Sequence, residues 1–159
     1  AGVLAYLQFF YSPLTGELEF FGVDQRHESD IEGLGRIPSE QQLKSKKVPS
    51  FNVIGNSPLV LRESLLDEVY TMGENFVEAA KRVVAPGMNG PFCIEGVYDE
   101  NAKFTSFEFS ARIVAGTNIY MDGSPYYSLL FNENMSMGKR IAREVKIAEE
   151  KNEIEKIVT

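Results

Sequence analysis

The residues with the clearest chemical potential are Glu95, Glu108 and Arg112. Pro91 to Val97 and Phe104 to Val114 read as two strands joined by the polar link Asp99-Glu100-Asn101-Ala102-Lys103. Side chains alternate along a strand, so Thr105, Phe107, Phe109, Ala111 and Ile113 share one face. Phe104, Ser106, Glu108, Ser110 and Arg112 share the other. If Asp99 pairs with Phe104, Glu95 lies directly opposite Glu108, with Cβ atoms about 5 Å apart, where like charges destabilise a sheet. A cation between the two carboxylates removes the clash. Two hard oxygen ligands suit Mg²⁺, which also takes phosphate oxygens and water. Arg112, further along the same face, is placed to grip a phosphate or acyl-phosphate oxygen. The competing reading is an exposed sheet face with an ordinary surface salt bridge. Against it, Phe92-Cys93-Ile94-Glu95-Gly96-Val97 is otherwise a core-type strand.

The elements that must position these residues alternate in type. Val3 to Tyr11 reads as a strand, Ser12-Pro13-Leu14-Thr15-Gly16 as a turn, and Glu17 to about Arg26 as the returning strand of a hairpin. His27 to Lys47 is polar and reads as an irregular loop, and Phe51 to Ile54 as a short strand ending at Gly55-Asn56-Ser57-Pro58. From Ser64 to Val84, Leu65, Leu66, Val69, Met72, Phe76, Ala80 and Val83 recur at helical spacing until Pro86-Gly87. That stripe should cover the Phe107, Phe109 and Ala111 face of the second strand pair. Gly116 to Pro125 reads as loop, and Ser136 to Glu150 as a helix with Ile141, Val145 and Ala148 on its apolar face. Asn152 is a candidate cap for a last short turn ending at Thr159. The expected fold is α+β, a largely antiparallel sheet with flanking helices in one unit over 1–159.

Composition removes several functions. Sixteen Lys plus Arg against 23 Asp plus Glu, a net charge of −7, argue against nucleic acid and against a polybasic membrane anchor. One cysteine, Cys93, excludes an internal disulfide, and one histidine, His27, cannot build a His-rich zinc site. Cys93 reads as a buried small hydrophobe and His27 as a structural histidine. No apolar run is long enough to span a bilayer, so the expected setting is cytoplasmic. Ala1 is followed almost at once by a strand, which suggests part of a longer protein; removal of a signal peptide or of Met are the alternatives. Tyr120, Tyr126, Tyr127 and Phe131, in a segment read as loop, are expected at contacts between subunits.

Glu108-Phe109-Ser110-Ala111-Arg112 resembles the Glu-x-Asn-x-Arg signature of ATP-grasp ligases, with Glu95 matching the second metal-binding Glu on the paired strand. Further blocks narrow the match: Phe10-Tyr11-Ser12-Pro13-Leu14, Arg36-Ile37-Pro38, Gly55-Asn56, Arg62 to Leu66, Pro86-Gly87-Met88, Gly90 to Cys93 and Met135 to Glu144. Together they closely resemble the archaeal formate-dependent 5-formaminoimidazole-4-carboxamide ribonucleotide synthetases, over essentially the whole chain. Ser110 stands where ATP-grasp enzymes generally carry Asn, and Glu95 where many members carry Gln.

The resemblance implies the C-terminal lobe of an ATP-grasp fold, lacking the N-terminal domain and part of the ATP-binding lobe. It implies ATP and Mg²⁺ (or Mn²⁺) as cofactors, with Glu95 and Glu108 on the metal, Arg112 catalytic, Glu28 on ATP and Asn56 on the nucleotide substrate. The implied reaction joins formate to the 5-amino group of an aminoimidazole carboxamide ribotide through formyl phosphate, in IMP synthesis, in a homo-oligomer. Two alternatives stay open: a non-catalytic acidic domain for cation binding or assembly, and an ATP-grasp ligase using another small acid.

Overall fold

The computed structural model describes residues 2–35 and 37–158. Arg36, one of the residues behind the resemblance, lies outside them, as do Ala1 and Thr159. Five strands form one sheet in the order β3-β2-β1-β4-β5, with every neighbouring pair antiparallel. They are β1 (Val3–Tyr11), β2 (Leu18–Glu28), β3 (Val53–Leu59), β4 (Gly90–Tyr98) and β5 (Phe104–Ser110). The expected α+β architecture is what is found.

The two faces of the sheet have different tasks. Ala5, Leu7, Phe9 and Tyr11 of β1 and Phe92, Ile94 and Tyr98 of β4 point to one face, where they form the main core with Val69 and Val77 of the helix α3 (Leu66–Val83). Here α1 and α2 are the short helices Ile31–Gly35 and Ser39–Ser45. Phe9 stacks on Phe92, and Phe92 on Phe76 of α3, both at 5.1 Å between ring centroids. The helix lies so close that a Cβ on Gly73 would stand 2.8 Å from the Phe9 ring, so this turn needs glycine. On the opposite face, Phe10 and Phe21 are covered by Tyr127 of α4 (Pro125–Phe131), Met137 of α5 (Met137–Glu150) and Tyr120 of the short helical turn Ala115–Tyr120. Among the described residues, no helix is long and apolar enough to cross a membrane.

Several sequence expectations need correction. The 27–47 segment is not wholly irregular: β2 continues to Glu28, and α1 and α2 follow. Gly55-Asn56-Ser57-Pro58 does not end a strand but lies within β3. As the edge strand of the sheet, β3 tolerates a proline that lacks an N–H. The 116–125 loop contains the Ala115–Tyr120 turn and leads into α4, whose N-cap Ser124 accepts from the Tyr127 N–H at 3.1 Å. Tyr120 and Tyr127 are buried and Tyr126 packs on the main core, so these aromatics fill their own subunit and provide no basis for a subunit contact. Of the expected α5 face, Ala148 is buried and Ile141 packs partly on the second core, but Val145 is exposed, and the fully buried stripe is Met137, Arg140, Glu144 and Ala148. Two charges are tolerated there because Arg140 donates to Glu19 and Glu144, at 2.8 Å each, and Ser12 donates to Glu144 at 2.6 Å. Asn152 adopts a left-handed backbone before the last turn, and the Ile154–Lys156 turn has no side-chain cap.

Candidate active site

The α4–α5 layer covers only part of the second face. Beyond that layer the same face carries a polar row across the sheet, in which Asp24 pairs with Tyr6, Tyr6 with Glu95, and Glu95 with Glu108; the first three are buried and Glu108 is exposed. Glu95 and Glu108 are therefore directly opposed, as expected, but by a different route. Tyr98 pairs with Phe104, one residue out of the expected register, and a bulge between Gly96 and Glu95 restores the opposition by leaving Phe107 unpaired. The bulge also breaks the simple alternation of β5. Phe104 is buried against Tyr98 in the main core instead of joining the polar row. Phe109 meets Phe76 of α3 at 5.0 Å between centroids, yet it is 58% exposed and Phe107 57%, so α3 covers this face less fully than expected.

Glu95 is only 3% exposed. It accepts from the Ser110 hydroxyl at 3.2 Å, and an Arg26 guanidinium nitrogen stands 3.5 Å from its other oxygen. Burial pushes the Glu95 carboxyl above the usual range; Arg26 pulls it back, and the Glu108 charge adds to the rise. Arg26 also lies over the Tyr6 ring at 4.1 Å, and Tyr6 is pushed up to about 12, chiefly by burial. Ser110, at the position where the signature has Asn, thus holds the buried glutamate in place.

Arg112 is not on a strand. β5 ends at Ser110, and Arg112 follows on an exposed bend, donating to the Ile113 carbonyl at 2.9 Å. Asn56 sits opposite Arg26 in β3 and donates from Nδ2 to Asp24 at 2.6 Å, which brings it onto the polar face. Glu28 is at the end of β2 on the same face as Asp24 and Arg26, close enough for its charge to act on Tyr6. His27 points the other way, with its ring nitrogens on Glu32 and Ser57 at 3.0 and 2.9 Å, a structural role as expected. Cys93 is buried and its thiol is pushed up by that burial.

The sequence reading missed Asp24 and Arg26. Asp24 is 1% exposed and accepts from Gln8 and Asn56. Burial raises its carboxyl, while those two hydrogen bonds and Arg26 act in the opposite sense. Gly116 seals it from above, where a Cβ would collide with the carboxylate. The period of two through Val23-Asp24-Gln25-Arg26-His27-Glu28 carried the signal, because it sets Asp24, Arg26 and Glu28 on one face.

Among the described residues, no group of three or more His, Cys, Asp or Glu is placed to hold a metal. The opposed pair still fits Mg²⁺, which is commonly held by one or two carboxylates and completes its shell with water and phosphate. The donors are all oxygen, and a buried, destabilised carboxylate faces a solvent-accessible one.

These features define an α+β lobe whose sheet presents a carboxylate pair on a half-open polar face. The chain belongs to the family described as "Domain of unknown function (DUF1297)", whose profile matches residues 1–159. It is 87% identical over 159 residues to the 5-formaminoimidazole-4-carboxamide-1-(beta)-D-ribofuranosyl 5'-monophosphate synthetase of Nitrosopumilus maritimus, covering 100% of this chain and 47% of that protein. The protein of the same name from Pyrococcus horikoshii is 51% identical, with 99% of this chain and 47% of the relative covered. The crystal structure of an IMP biosynthesis protein PurP from Thermococcus kodakaraensis matches with a TM-score of 0.80 at 36% identity, over 100% of this chain and 50% of that one. The chain spans about half the length of the curated relatives it matches.

Proposed function

We propose that this chain is the C-terminal lobe of an ATP-grasp ligase, part of a longer cytoplasmic enzyme that formylates an aminoimidazole carboxamide ribotide in IMP synthesis. The observation that carries the reading is the direct opposition of buried Glu95 and exposed Glu108 on the polar face, in a chain 87% identical to a synthetase of that name. In the reaction, a formate oxygen attacks the γ-phosphorus of ATP, the bond to ADP breaks, and formyl phosphate forms. The 5-amino nitrogen then attacks the formyl carbon, loses a proton and expels phosphate. Activation as an acyl phosphate requires no protein nucleophile, in keeping with the buried, hydrophobic setting of the lone cysteine.

Glu95 and Glu108 hold Mg²⁺ (or Mn²⁺), which when bound offsets phosphate charge. Ser110 and Arg26 orient Glu95 from two sides. Arg112, exposed and, among the described residues, tethered only to a neighbouring carbonyl, is free to swing onto the transferred phosphoryl group and stabilise its charge. Glu28 accepts from a ribose hydroxyl of ATP, and Asn56 contacts the imidazole carboxamide edge. A homo-oligomeric state follows from the family resemblance alone.

The test is a complete reaction with the full-length protein: ATP, Mg²⁺, formate and the ribotide together should release ADP and yield the formylated ribotide, and omission of ATP, Mg²⁺ or formate should abolish ADP release. No ADP above background in the complete mixture overturns the reading. Full turnover by the 159-residue chain alone would overturn its assignment as one lobe of a larger site.

A further inference from the structure

Asp24 is buried in the middle of the sheet yet reaches the candidate substrate residue. Its Oδ1 accepts from the Gln8 amide and its Oδ2 from Asn56 Nδ2 at 2.6 Å. An ionised carboxylate only accepts, whereas a side-chain amide has one accepting end and one donating end. Contact with Asp24 therefore fixes which way Asn56 faces: Nδ2 is turned inward, and Oδ1 is left for the open face. Nothing else among the described residues holds the Asn56 side chain by a hydrogen bond. Asp24 has no room to move, because Gly116 lies against its carboxylate and Gln8 is itself 1% exposed.

Resting on the reading of Asn56 as a substrate contact, we infer that Asp24 is a positioning residue that locks the Asn56 amide carbonyl outward. Asn56 then selects a nucleotide that presents N–H donors, as an amine or carboxamide does, over one that presents a carboxylate at the same place. A freely flipping asparagine could turn Nδ2 outward and accept either edge; the locked one meets a carboxylate acceptor to acceptor. Burying unmatched polar groups is how a site rejects a near-isosteric ligand.

Gln8 supplies the control. Its Oε1 has no partner among the described residues, so its orientation is dictated by Asp24 alone. With Asp24→Asn by itself, the row of three amides can run in either direction, and the outward carbonyl of Asn56 is no longer fixed. Transposing the acid and the amide, as Gln8→Glu with Asp24→Asn, removes that freedom. The carboxylate introduced at position 8 accepts from the Nδ2 of the amide introduced at position 24, whose Oδ1 then faces Asn56. The charge count and the polarity at Asn56 are both kept.

The experiment is equilibrium titration of the full-length protein with the aminoimidazole carboxamide ribotide and with its analogue carrying carboxylate in place of carboxamide. ATP affinity and the melting temperature are measured alongside. The wild type should prefer the carboxamide by about tenfold or more, the scale of one well-made hydrogen bond to a buried group. Asp24→Asn should reduce the preference to below about threefold with ATP affinity unchanged, and the transposed double variant should restore it. An unchanged preference in a folded Asp24→Asn protein overturns the inference and leaves the functional reading intact. If Asp24→Asn does not fold, the double variant decides: a folded double variant without the preference overturns the inference, and one with it supports the inference. A wild type that binds neither ribotide overturns the functional reading, and this inference falls with it.

Discussion

Replacing Glu108 by Gln tests the carboxylate pair without changing its shape. Directly opposed Cβ atoms keep about 5 Å between them. At that separation two unit charges repel by about 3 kcal/mol at an effective dielectric near 20 and about 1 kcal/mol in bulk water. Glu95 is buried but Glu108 faces solvent, so screening favours the lower figure. Without metal, Glu108→Gln should therefore stabilise the fold by about 1 kcal/mol, raising Tm by about 2–4 °C for a domain of this size. A cation reverses the order. A ligand that binds only the folded state adds about 2.7 kcal/mol at a hundred times its Kd, and the variant should lose most of that gain. Urea unfolding in EDTA and then in saturating Mg²⁺ should thus show the two proteins exchanging rank.

The same variant has a pH signature. The folded Glu95 carboxyl titrates above its ordinary value, mainly because it is buried. Between the ordinary and the raised value, the folded state holds a proton that the unfolded state has released. Stability consequently falls as pH rises through that window and is level above it. Glu108→Gln removes one of the influences that raise Glu95, so its window should narrow. Equal Mg²⁺ stabilisation of both proteins, or a variant less stable than wild type in EDTA, would refute the reasoning.

Three further outcomes follow from the packing. Arg140→Ala leaves Glu19 and Glu144 buried without their partner. It should cost about 3–5 kcal/mol in chemical denaturation, whereas Arg140→Met with both glutamates changed to Gln should cost far less. Gly116→Ala drives a Cβ into the Asp24 carboxylate and should cost about 1–3 kcal/mol, with weakened ribotide binding in the full-length protein. Cys93, buried with its thiol pushed up, should resist a thiol-specific chromogenic reagent in native protein and react fully in denaturant.

The legible parts of this fold were those in which one physical signal dominates. The apolar spacing from Leu65 to Ala80 and the near-continuous apolar run from Val3 to Tyr11 are unopposed, and α3 and β1 lie where those patterns put them. Glu95 opposite Glu108 was also within reach, although the assumed register was off by one at Tyr98–Phe104 and was corrected by a bulge that no residue type announces. β3 was obscured because Gly55-Asn56-Ser57-Pro58 has turn chemistry, and only its place at the sheet edge makes that composition acceptable. The buried side of α5 was hidden for a related reason: Arg140 and Glu144 look like solvated charges until Glu19 and Ser12, distant in sequence, arrive to satisfy them. Asp24 and Arg26 fell inside the strand as read, but the partners that mark them, Gln8, Asn56 and Glu95, are distant in sequence and nothing beside them announces the convergence.

The charge on the polar face limits what this lobe can do by itself. Asp24, Glu28, Glu95 and Glu108 lie on it, with Arg26 as the cation in contact and Arg112 beyond the strand end. A polyphosphate or a ribotide phosphate approaching that surface meets more negative charge than positive. Mg²⁺ at the opposed pair would reverse the local balance, but two carboxylates leave most of its shell to water and phosphate. The cations that grip the rest of a triphosphate must come from elsewhere, and the relatives extend to about twice this length. The 159-residue chain alone should accordingly bind ATP only weakly, with a Kd in the millimolar range, no heat of binding in EDTA, and a signal that returns with Mg²⁺. Calorimetry on wild type and Glu95→Gln measures both. Tight, metal-independent ATP binding by the isolated chain would mean that a cationic surface other than the Glu95–Glu108 face carries the nucleotide.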